Sequence, residues 1–359
     1  MEPRAILTNA TVLVLALTTL VGCAAFERRA PDPRRAVARD ERVTLGGLSQ
    51  AIRIRGDDRA NPVLLFVHGG PGLPEMPVAH LNAELERDFT IVQWDQRGAG
   101  KSYRRGISRE SMRVEQFVQD TLELTAHLQR TLRKPRIYLV GFSWGTLVAT
   151  LAAEREPQRF VAYIGMSQIV DIPEAELLLY REAIAAARAR DLPNAMRELR
   201  EAGPPPWTTA RKKSAVARWW QRLRPTVSHK ITAARYAGLA FTSPAYTPLD
   251  LVRLTAGAKF SSDALRAEIR AADLRKLVPQ LNVPTYFLMG RHDTVVSSEM
   301  LVRYFGELDA PRGKKIIWFD DADHAPHLEM PERYRAAMRD IRAETYVPSR
   351  RSLARVPYD

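Results

Sequence analysis

The feature that most constrains the fold of this chain is a Gly-x-Ser-x-Gly motif at residues 141–145. Residues 137–140 before it are apolar and strand-like, and small, helix-favouring residues follow at 147–154. This order predicts a strand, a sharp turn and a helix, with the hydroxyl of Ser143 exposed on a strained backbone. The motif alone is a weak signal, because small residues occur together in many loops. With a strand before it and a helix after it, the motif indicates that Ser143 is a nucleophile.

Strand and helix patterns alternate along much of the chain. The continuous apolar run at residues 63–67 is typical of a strand covered on both faces, and residues 112–132 have the apolar spacing of a helix. The other predicted strands lie at residues 51–55, 89–94, 137–140, 160–166, 284–289 and 315–319. Such alternation with short connections predicts an α/β protein, in which a mostly parallel sheet is flanked by helices on both faces.

This alternation stops in the second half of the chain. Residues 168–274 are helix-prone and rich in Ala and Arg, and they contain no convincing buried strand. Strand-like sequence resumes after them, at residues 284–289. We therefore predict a core formed by residues 43–167 and 275–359, with 168–274 as a helical insertion between two parts of one sheet.

The N-terminal residues predict a secretory signal peptide at 1–22. Arg4 precedes an apolar run at 11–17 that is too short to cross a membrane comfortably. Cys23 follows Leu-Val-Gly, as in a bacterial lipobox, and is the only cysteine in the chain. We expect Cys23 to carry a lipid that anchors the protein to a membrane of the bacterial cell envelope; a cysteine that merely ends a signal peptide is the alternative. Residues 23–42, rich in Arg, Pro and Ala, are predicted to form a flexible tether.

The charge of the chain is high and positive. The chain has 359 residues, a net charge of +13 at pH 7 and a hydrophobic content of 45%, which are the values of a folded protein with a large core. Basic residues are spread over the whole chain, and no nucleic-acid-binding motif or Lys/Arg block occurs. We therefore expect a basic surface and no nucleic-acid partner. The sequence does not indicate an oligomeric state.

A serine nucleophile needs a base, and the base needs a carboxylate that orients it. In enzymes with the serine on such a turn, the acid and then the histidine follow along the chain, each after a strand. Asp293 follows the predicted strand at 284–289, and His324 follows the one at 315–319. We therefore predict a triad of Ser143, Asp293 and His324.

Neighbouring residues offer alternatives to this triad. His327 fits a packing or capping imidazole better than a second base, and as a pair with His324 it lacks further ligands, so no metal site is predicted. His292, directly before the predicted acid, fits the triad order less well. A solvated acidic loop is expected at Asp320, Asp321 and Asp323.

A second glycine-rich loop, His-Gly-Gly-Pro-Gly, follows the strand predicted at 63–67. Backbone N–H groups of such a loop can face the negative charge that develops on a substrate oxygen. We predict an oxyanion hole formed by the N–H groups of Gly70, or its neighbour Gly69, and of Trp144. His68 is expected to brace the loop rather than to act as a second base.

Five motifs together resemble those of one enzyme family. They are His-Gly-Gly-Pro-Gly at 68–72, Asp-Gln-Arg-Gly-Ala-Gly-Lys-Ser at 95–102, Gly-Phe-Ser-Trp-Gly at 141–145, Gly-Arg-His-Asp at 290–293 and His-Ala-Pro-His-Leu-Glu at 324–329. This set is similar to that of the prolyl aminopeptidases, members of the α/β-hydrolase family. The resemblance implies a cofactor-free serine hydrolase that releases an N-terminal residue, often proline, from small peptides or amides. It also implies that the helical insertion is a cap over the active site.

An aminopeptidase must hold the ammonium group of its substrate, which requires carboxylates in a desolvated pocket. In the resembling family, glutamates of the cap serve this purpose, and one of them follows a tryptophan. The candidates here are Glu174 and the pair Trp220 and Gln221, in which an uncharged amide replaces the acid. Without an ammonium pocket, the same chemistry on a carboxylic ester is the alternative function. A hydrolase-fold envelope protein that binds without turnover is the remote alternative.

Overall fold

The structure, a computed structural model, describes residues 32–207, 209–223, 227 and 230–347. A sheet of eight strands lies at its centre. The strands are β1 (Val37–Leu45), β2 (Leu48–Gly56), β3 (Val63–Val67), β4 (Thr90–Asp95), β5 (Ile137–Phe142), β6 (Phe160–Met166), β7 (Thr285–Gly290) and β8 (Lys314–Phe319). They lie in the order β1-β2-β4-β3-β5-β6-β7-β8. β2 pairs antiparallel with β1 and β4, and all other neighbours are parallel. The predicted mostly parallel sheet is therefore confirmed.

Several N-terminal predictions fall outside the described residues. The signal peptide at 1–22, the lipid on Cys23 and the first part of the tether lie there, so they stay predictions. Within the part of the chain that the structure describes, no helix combines the length and the apolar character needed to cross a membrane.

The tether predicted at 23–42 is wrong in its last part, where β1 begins. This strand pairs with β2 along its whole length, from Val37 opposite Gly56 to Leu45 opposite Leu48. Only Leu45 is buried among its residues. β1 is an edge strand held by backbone hydrogen bonds, and it lacks the apolar face that a sequence pattern would reveal.

The central strands are buried on both faces, as their continuous apolar sequences predicted. Every residue of β3, β6 and β7 is buried. Leu139 and Val140 of β5 belong to different apolar clusters, because successive side chains of a strand point to opposite faces of the sheet. Each large apolar side chain in these clusters, such as Phe160 or Phe287, contributes about 1.5–3 kcal/mol through burial.

Helices cover both faces and form the insertion. The helices are α1 (Val114–Thr131), α2 (Trp144–Arg155), α3 (Ile172–Ala189), α4 (Pro193–Ala202), α5 (Ala210–Leu223), α6 (Ala233–Phe241), α7 (Pro248–Ala271), α8 (Leu274–Leu277), α9 (Ser298–Glu307), α10 (Pro326–Glu329) and α11 (Pro331–Thr345). Short 3-10 helices lie at Met76–Arg87, Gly100–Ser102, Arg109–Ser111 and Pro157–Arg159. Side chains of α1, α2 and α9 pack in one apolar cluster, and those of α11 pack in the cluster on the other face.

The helical insertion predicted in the second half of the chain is confirmed. α3 to α7 lie between β6 and β7 and are called the cap below. Helices α3, α4 and α5 pack around an apolar cluster of their own, which includes Ala187, Leu199 and Trp220. Helix α7 begins at a capping box, in which Thr247 and Asp250 each bond the backbone N–H of the other.

Candidate active site

Ser143 lies at the turn between β5 and α2, at the edge where the parallel strands end. Its φ of 51° and ψ of −118° are unusual for a residue other than glycine and store about 1–3 kcal/mol of strain. A Cβ on Gly145 would lie 2.0 Å from the carbonyl oxygen of Val67, and a Cβ on Gly141 would lie 2.7 Å from that of Gly145. Both glycines are therefore needed for α2 to pack on the sheet this closely, and the predicted strand–turn–helix is confirmed.

The structure brings Asp293 and His324 to Ser143 at this edge. The Nε2 atom of His324 lies 3.0 Å from Ser143 Oγ. Its Nδ1 atom lies 3.1 Å and 3.0 Å from the two carboxylate oxygens of Asp293. Asp293 follows β7 and His324 follows β8, and the ends of neighbouring parallel strands meet at one edge of a sheet. The arrangement allows the imidazole to take a proton from the serine hydroxyl.

The pKa values of the imidazole and the carboxylate shift in opposite directions. Burial alone would lower the pKa of His324, but the charge of Asp293 and the hydrogen bond to it outweigh burial and raise this pKa above its ordinary value. Burial alone would raise the pKa of Asp293, but the interactions with His324 leave it below its ordinary value. Each group therefore stabilises the charged form of the other.

Further hydrogen bonds hold the acid and the histidine in place. Asp293 Oδ1 accepts hydrogen bonds from the backbone N–H groups of Val295 at 2.8 Å and Val296 at 2.9 Å. The hydroxyl of Ser167 donates to the carbonyl oxygen of His324 at 2.7 Å. These contacts orient the carboxylate of Asp293 and fix the backbone of His324 within the protein itself, as preorganised sites require.

The acidic loop after β8 is not solvated throughout, so that prediction is wrong for Asp323. Asp320 is exposed and pairs with Arg291 at 3.0 Å. Asp323, in contrast, is 2% exposed, accepts hydrogen bonds from the N–H and hydroxyl of Thr294 at 2.7 Å and 2.9 Å, and forms an ion pair with Lys230 of the cap. A buried carboxylate requires such partners, and here they join the loops after β7 and β8 to the cap.

The glycine-rich loop after β3 adjoins the serine turn, because β3 and β5 are neighbours in the sheet. Gly70 has a φ of 116°, and a Cβ at this position would lie 2.6 Å from the backbone nitrogen of Gly72, so the conformation requires glycine. Trp144, the first residue of α2, is fully buried, and its indole N–H donates to Gln96 Oε1 at 3.1 Å. The two predicted oxyanion donors thus lie on adjacent, braced segments.

His68 braces the glycine-rich loop, as predicted. Its Nε2 atom accepts a hydrogen bond from the backbone N–H of Gln96 at 3.1 Å, and the side-chain amide of Gln96 donates to the carbonyl oxygen of His68 at 2.9 Å. Burial lowers the pKa of His68 to about 4, so its imidazole is neutral at pH 7. These bonds connect the loops after β3 and β4.

Asp95, at the end of β4, connects the cap to the core. Its Oδ2 atom accepts a hydrogen bond from the backbone N–H of Lys101 at 2.8 Å and another from the hydroxyl of Tyr246 in the cap. Its Oδ1 atom has no hydrogen-bond partner among the described residues. Burial raises the pKa of Asp95 to about 7, although the bonds from Tyr246 and Lys101 act in the opposite direction. The folded state therefore favours the neutral carboxyl group.

We expect Asp95→Asn to stabilise the protein above pH 7. Between the ordinary pKa of 3.8 and about 7, the folded wild type holds a proton on Asp95 that the unfolded chain has lost, so the stability of the wild type falls as pH rises through this window. Asparagine stays neutral and keeps an acceptor for Lys101 and Tyr246. The gain should be small near pH 4 and reach at most about 4 kcal/mol above pH 7. Urea unfolding at pH 5 and pH 8.5 measures it; a variant less stable than wild type at pH 8.5 contradicts the expectation.

The structure gives the predicted substrate-binding residues other roles. Trp220 is buried in the apolar cluster of the cap, and Gln221 is exposed to solvent. Glu174 forms ion pairs with Arg275 at 2.7 Å and Arg303 at 3.1 Å. Their role in substrate binding stays a prediction; in the structure the Trp220 side chain packs inside the cap and the carboxylate of Glu174 is already paired with two arginines.

Two buried carboxylates near the loop that carries His324 were not predicted as site residues. Glu329 accepts hydrogen bonds from the backbone N–H groups of Asp323 at 2.6 Å and Ile231 at 2.9 Å. Glu75, in the loop after β3, is hydrogen-bonded to His327, which is buried as its predicted packing role requires. Acidic residues are mostly exposed in proteins, so nothing in the sequence marked these two as buried.

The fold and the site together define a class of protein. A mostly parallel sheet, a serine on a strand–turn–helix and a histidine and an acid on later strand ends are the features of the α/β-hydrolase fold. The sequence profile of that family, described as alpha/beta hydrolase fold, matches residues 62–331. The chain belongs to the α/β-hydrolase family.

Relatives of the chain include named peptidases. Probable aminopeptidase YbaC of Bacillus subtilis (strain 168) is 32% identical over 305 residues, which cover 84% of this chain and 95% of that protein. Proline iminopeptidase of Heyndrickxia coagulans is 24% identical over 280 residues, with coverages of 77% and 89%. The crystal structure of proline iminopeptidase from Mycobacterium smegmatis is similar with a TM-score of 0.55 at 20% identity, over 86% of this chain and 98% of that one. At that identity the structural likeness shows the fold alone.

Proposed function

We propose that the protein is a serine hydrolase of the aminopeptidase type, which releases N-terminal proline or another residue from small peptides or amides. Ser143 is the nucleophile, His324 the general base and Asp293 the acid that orients the base. The observation that carries this proposal is the continuous hydrogen-bonded path from Ser143 Oγ through both ring nitrogens of His324 to Asp293, with 3.0 Å at each step. These distances suit proton transfer.

In the first half of the reaction, Ser143 Oγ attacks the substrate carbonyl carbon while His324 Nε2 takes the serine proton. The N–H groups of Gly70 and Trp144 donate to the oxyanion of the tetrahedral intermediate. The imidazolium then gives its proton to the leaving amine, the C–N bond breaks, and the acyl group remains on the serine as an ester. Asp293 stabilises the imidazolium throughout.

In the second half, a water molecule attacks the carbonyl carbon of the acyl ester. His324 Nε2 removes a proton from this water and returns it to Ser143 Oγ as the ester bond breaks. One amide bond and one water molecule are consumed, and a free amino acid and a shortened peptide or amine are released. The residues of the triad end in their starting protonation states.

Two observations support an aminopeptidase within this class. The relatives at 32% and 24% identity are named probable aminopeptidase and proline iminopeptidase. The His-Gly-Gly-Pro-Gly and Asp-Gln-Arg-Gly motifs, which resemble those of prolyl aminopeptidases, form the two loops that His68 and Gln96 join beside the serine. Both observations point to a substrate with a free amino group.

One observation favours a carboxylic-ester hydrolase as the second candidate. Three buried carboxylates on the loops of the site are already engaged: Asp323 by Lys230, Glu329 by two backbone N–H groups, and Glu75 by His327. A substrate ammonium would compete with these partners. An ester substrate needs no such pocket.

We expect proline β-naphthylamide, with its free amino group, to be hydrolysed with a kcat/KM at least about 100-fold above that of N-acetyl-proline β-naphthylamide. The reason is that a site built for a charged or hydrogen-bonding group rejects a substrate lacking it. p-Nitrophenyl acetate and butyrate complete the panel as ester substrates. Exclusive cleavage of the esters and the blocked amide contradicts the aminopeptidase and favours the ester hydrolase. No turnover of any substrate, together with no labelling by a fluorophosphonate, contradicts the serine hydrolase and favours a binding protein.

A further inference from the structure

A buried hydrogen bond joins the glycine-rich loop after β3 (the oxyanion loop) to the segment after β8 that carries His324 and α10 (the histidine loop). Glu75 lies in the loop after β3, five residues beyond Gly70, and His327 lies in α10, three residues beyond His324. The Nε2 atom of His327 lies 2.9 Å from Glu75 Oε1. Glu75 is 7% exposed and His327 is 1% exposed. The bond therefore connects the two segments that carry an oxyanion donor and the proposed base.

The bond with Glu75 is the one hydrogen bond of the His327 ring among the described residues. A carboxylate oxygen only accepts, so His327 Nε2 carries the proton and donates it. The other ring nitrogen, Nδ1, is buried and has no hydrogen-bond partner in the part of the chain that the structure describes. A cavity of about 30 Å³ lies beside the pair and is lined by Phe66, Asn82 and Tyr334, among others. The His327 ring is therefore not close-packed on the side of this cavity.

The ring of Phe142 contacts the rings of both His327 and His324. This residue directly precedes Ser143. Its ring lies 4.8 Å from the ring of His327 and 5.2 Å from the ring of His324, measured between centroids. Because protein interiors are close-packed, a shift of the His327 ring displaces the ring of Phe142, which in turn contacts the ring of His324.

We propose that Glu75 and His327 are a positioning pair that sets the distance between the oxyanion donor at Gly70 and the imidazole of His324. This inference rests on the proposed serine hydrolase function. Neither member of the pair touches the reacting atoms; they act through the loops and through Phe142. A misplacement of about 1 Å between catalytic groups lowers turnover about 100-fold.

Glu75→Leu tests the proposal by removing the acceptor of His327. We expect kcat to fall about 100-fold with KM changed less than about threefold. Glu75→Gln keeps a carbonyl oxygen that accepts the same bond, and its kcat should stay within about fivefold of wild type. Titration with a fluorophosphonate counts the sites with a reactive serine. Because kcat is expressed per reactive serine, a smaller fraction of folded protein does not change its value.

Tyr304→Phe is the matched control. The hydroxyl of Tyr304 donates a buried hydrogen bond to the carbonyl oxygen of Val278 at 3.0 Å, remote from the oxyanion and histidine loops. This variant should lose thermal stability and keep its kcat. If Glu75→Leu fails to fold, His327→Phe replaces it, because phenylalanine keeps an aromatic ring against Phe142 and removes the donor of the bond to Glu75.

Two results would overturn the positioning role while the hydrolase function stands. One is that the wild type is active while the Glu75→Leu variant keeps its kcat per reactive serine within about twofold and loses only stability, as the control does. The other is a Glu75→Gln variant as impaired as Glu75→Leu. A wild type that neither turns over substrate nor reacts with the fluorophosphonate overturns the proposed function, and the positioning role with it.

Discussion

Ser143→Ala should lower turnover about 10⁶-fold, because removing the nucleophile of a serine triad leaves only the contribution of substrate binding and the oxyanion hole. The variant should also lose all labelling by a fluorophosphonate. Its free energy of unfolding should stay within about 1 kcal/mol of wild type, since alanine meets the same strained backbone at this turn. Hydrolysis rates, probe labelling and urea unfolding measure the three effects.

Ser214→Ala is a suitable control for this experiment. Ser214 lies exposed on α5 of the cap, so its replacement should change neither turnover nor labelling. A Ser143→Ala variant that keeps wild-type turnover would rule out Ser143 as the nucleophile. Labelling that persists in this variant would place the reactive serine elsewhere.

Asp293→Asn should lower kcat/KM about 10⁴-fold, because the amide of asparagine neither holds the required tautomer of His324 nor stabilises its positive charge. The pH profile should change as well. In wild type, the acid limb reports protonation of His324, whose pKa is raised above its ordinary value, with burial opposing and Asp293 supplying the largest raising effect. Once the carboxylate is removed, burial dominates, and the acid limb should move to lower pH.

The measurement for Asp293→Asn is kcat/KM between pH 5 and pH 9 for wild type and variant. Asp320→Asn is the control, since Asp320 is exposed and pairs only with Arg291 among the described residues; its profile should match wild type. An acid limb that stays in place in Asp293→Asn would show that another group sets it.

The sequence predicted that Ser143, Asp293 and His324 lie close together because each of them follows a predicted strand. Parallel strands end at one edge of the sheet, so the order of Ser143, Asp293 and His324 along the chain already implies their approach. The glycines of the serine turn carry the same kind of local information. A side chain at position 145 would clash with the backbone of Val67, so this position requires glycine. The motif itself shows this requirement.

The cap was less predictable because its contacts depend on packing between distant segments. Trp220 lies on a helix with both apolar and basic residues, and sequence spacing does not reveal which neighbours cover its apolar side. The partners of Glu174, Arg275 and Arg303, lie in later helices. Glu75 and His327 meet across 252 positions of the chain, and no local pattern signals such a pair.

The apolar cluster shared by α3, α4 and α5 gives the cap a core of its own, separate from those on the two faces of the sheet. A change of side-chain volume within one core is accommodated by the residues that contact the changed side chain. Substitutions at distant sites have independent effects on the free energy of unfolding. Substitutions within the cluster of these three helices should therefore leave the packing and the register of the strands largely unchanged.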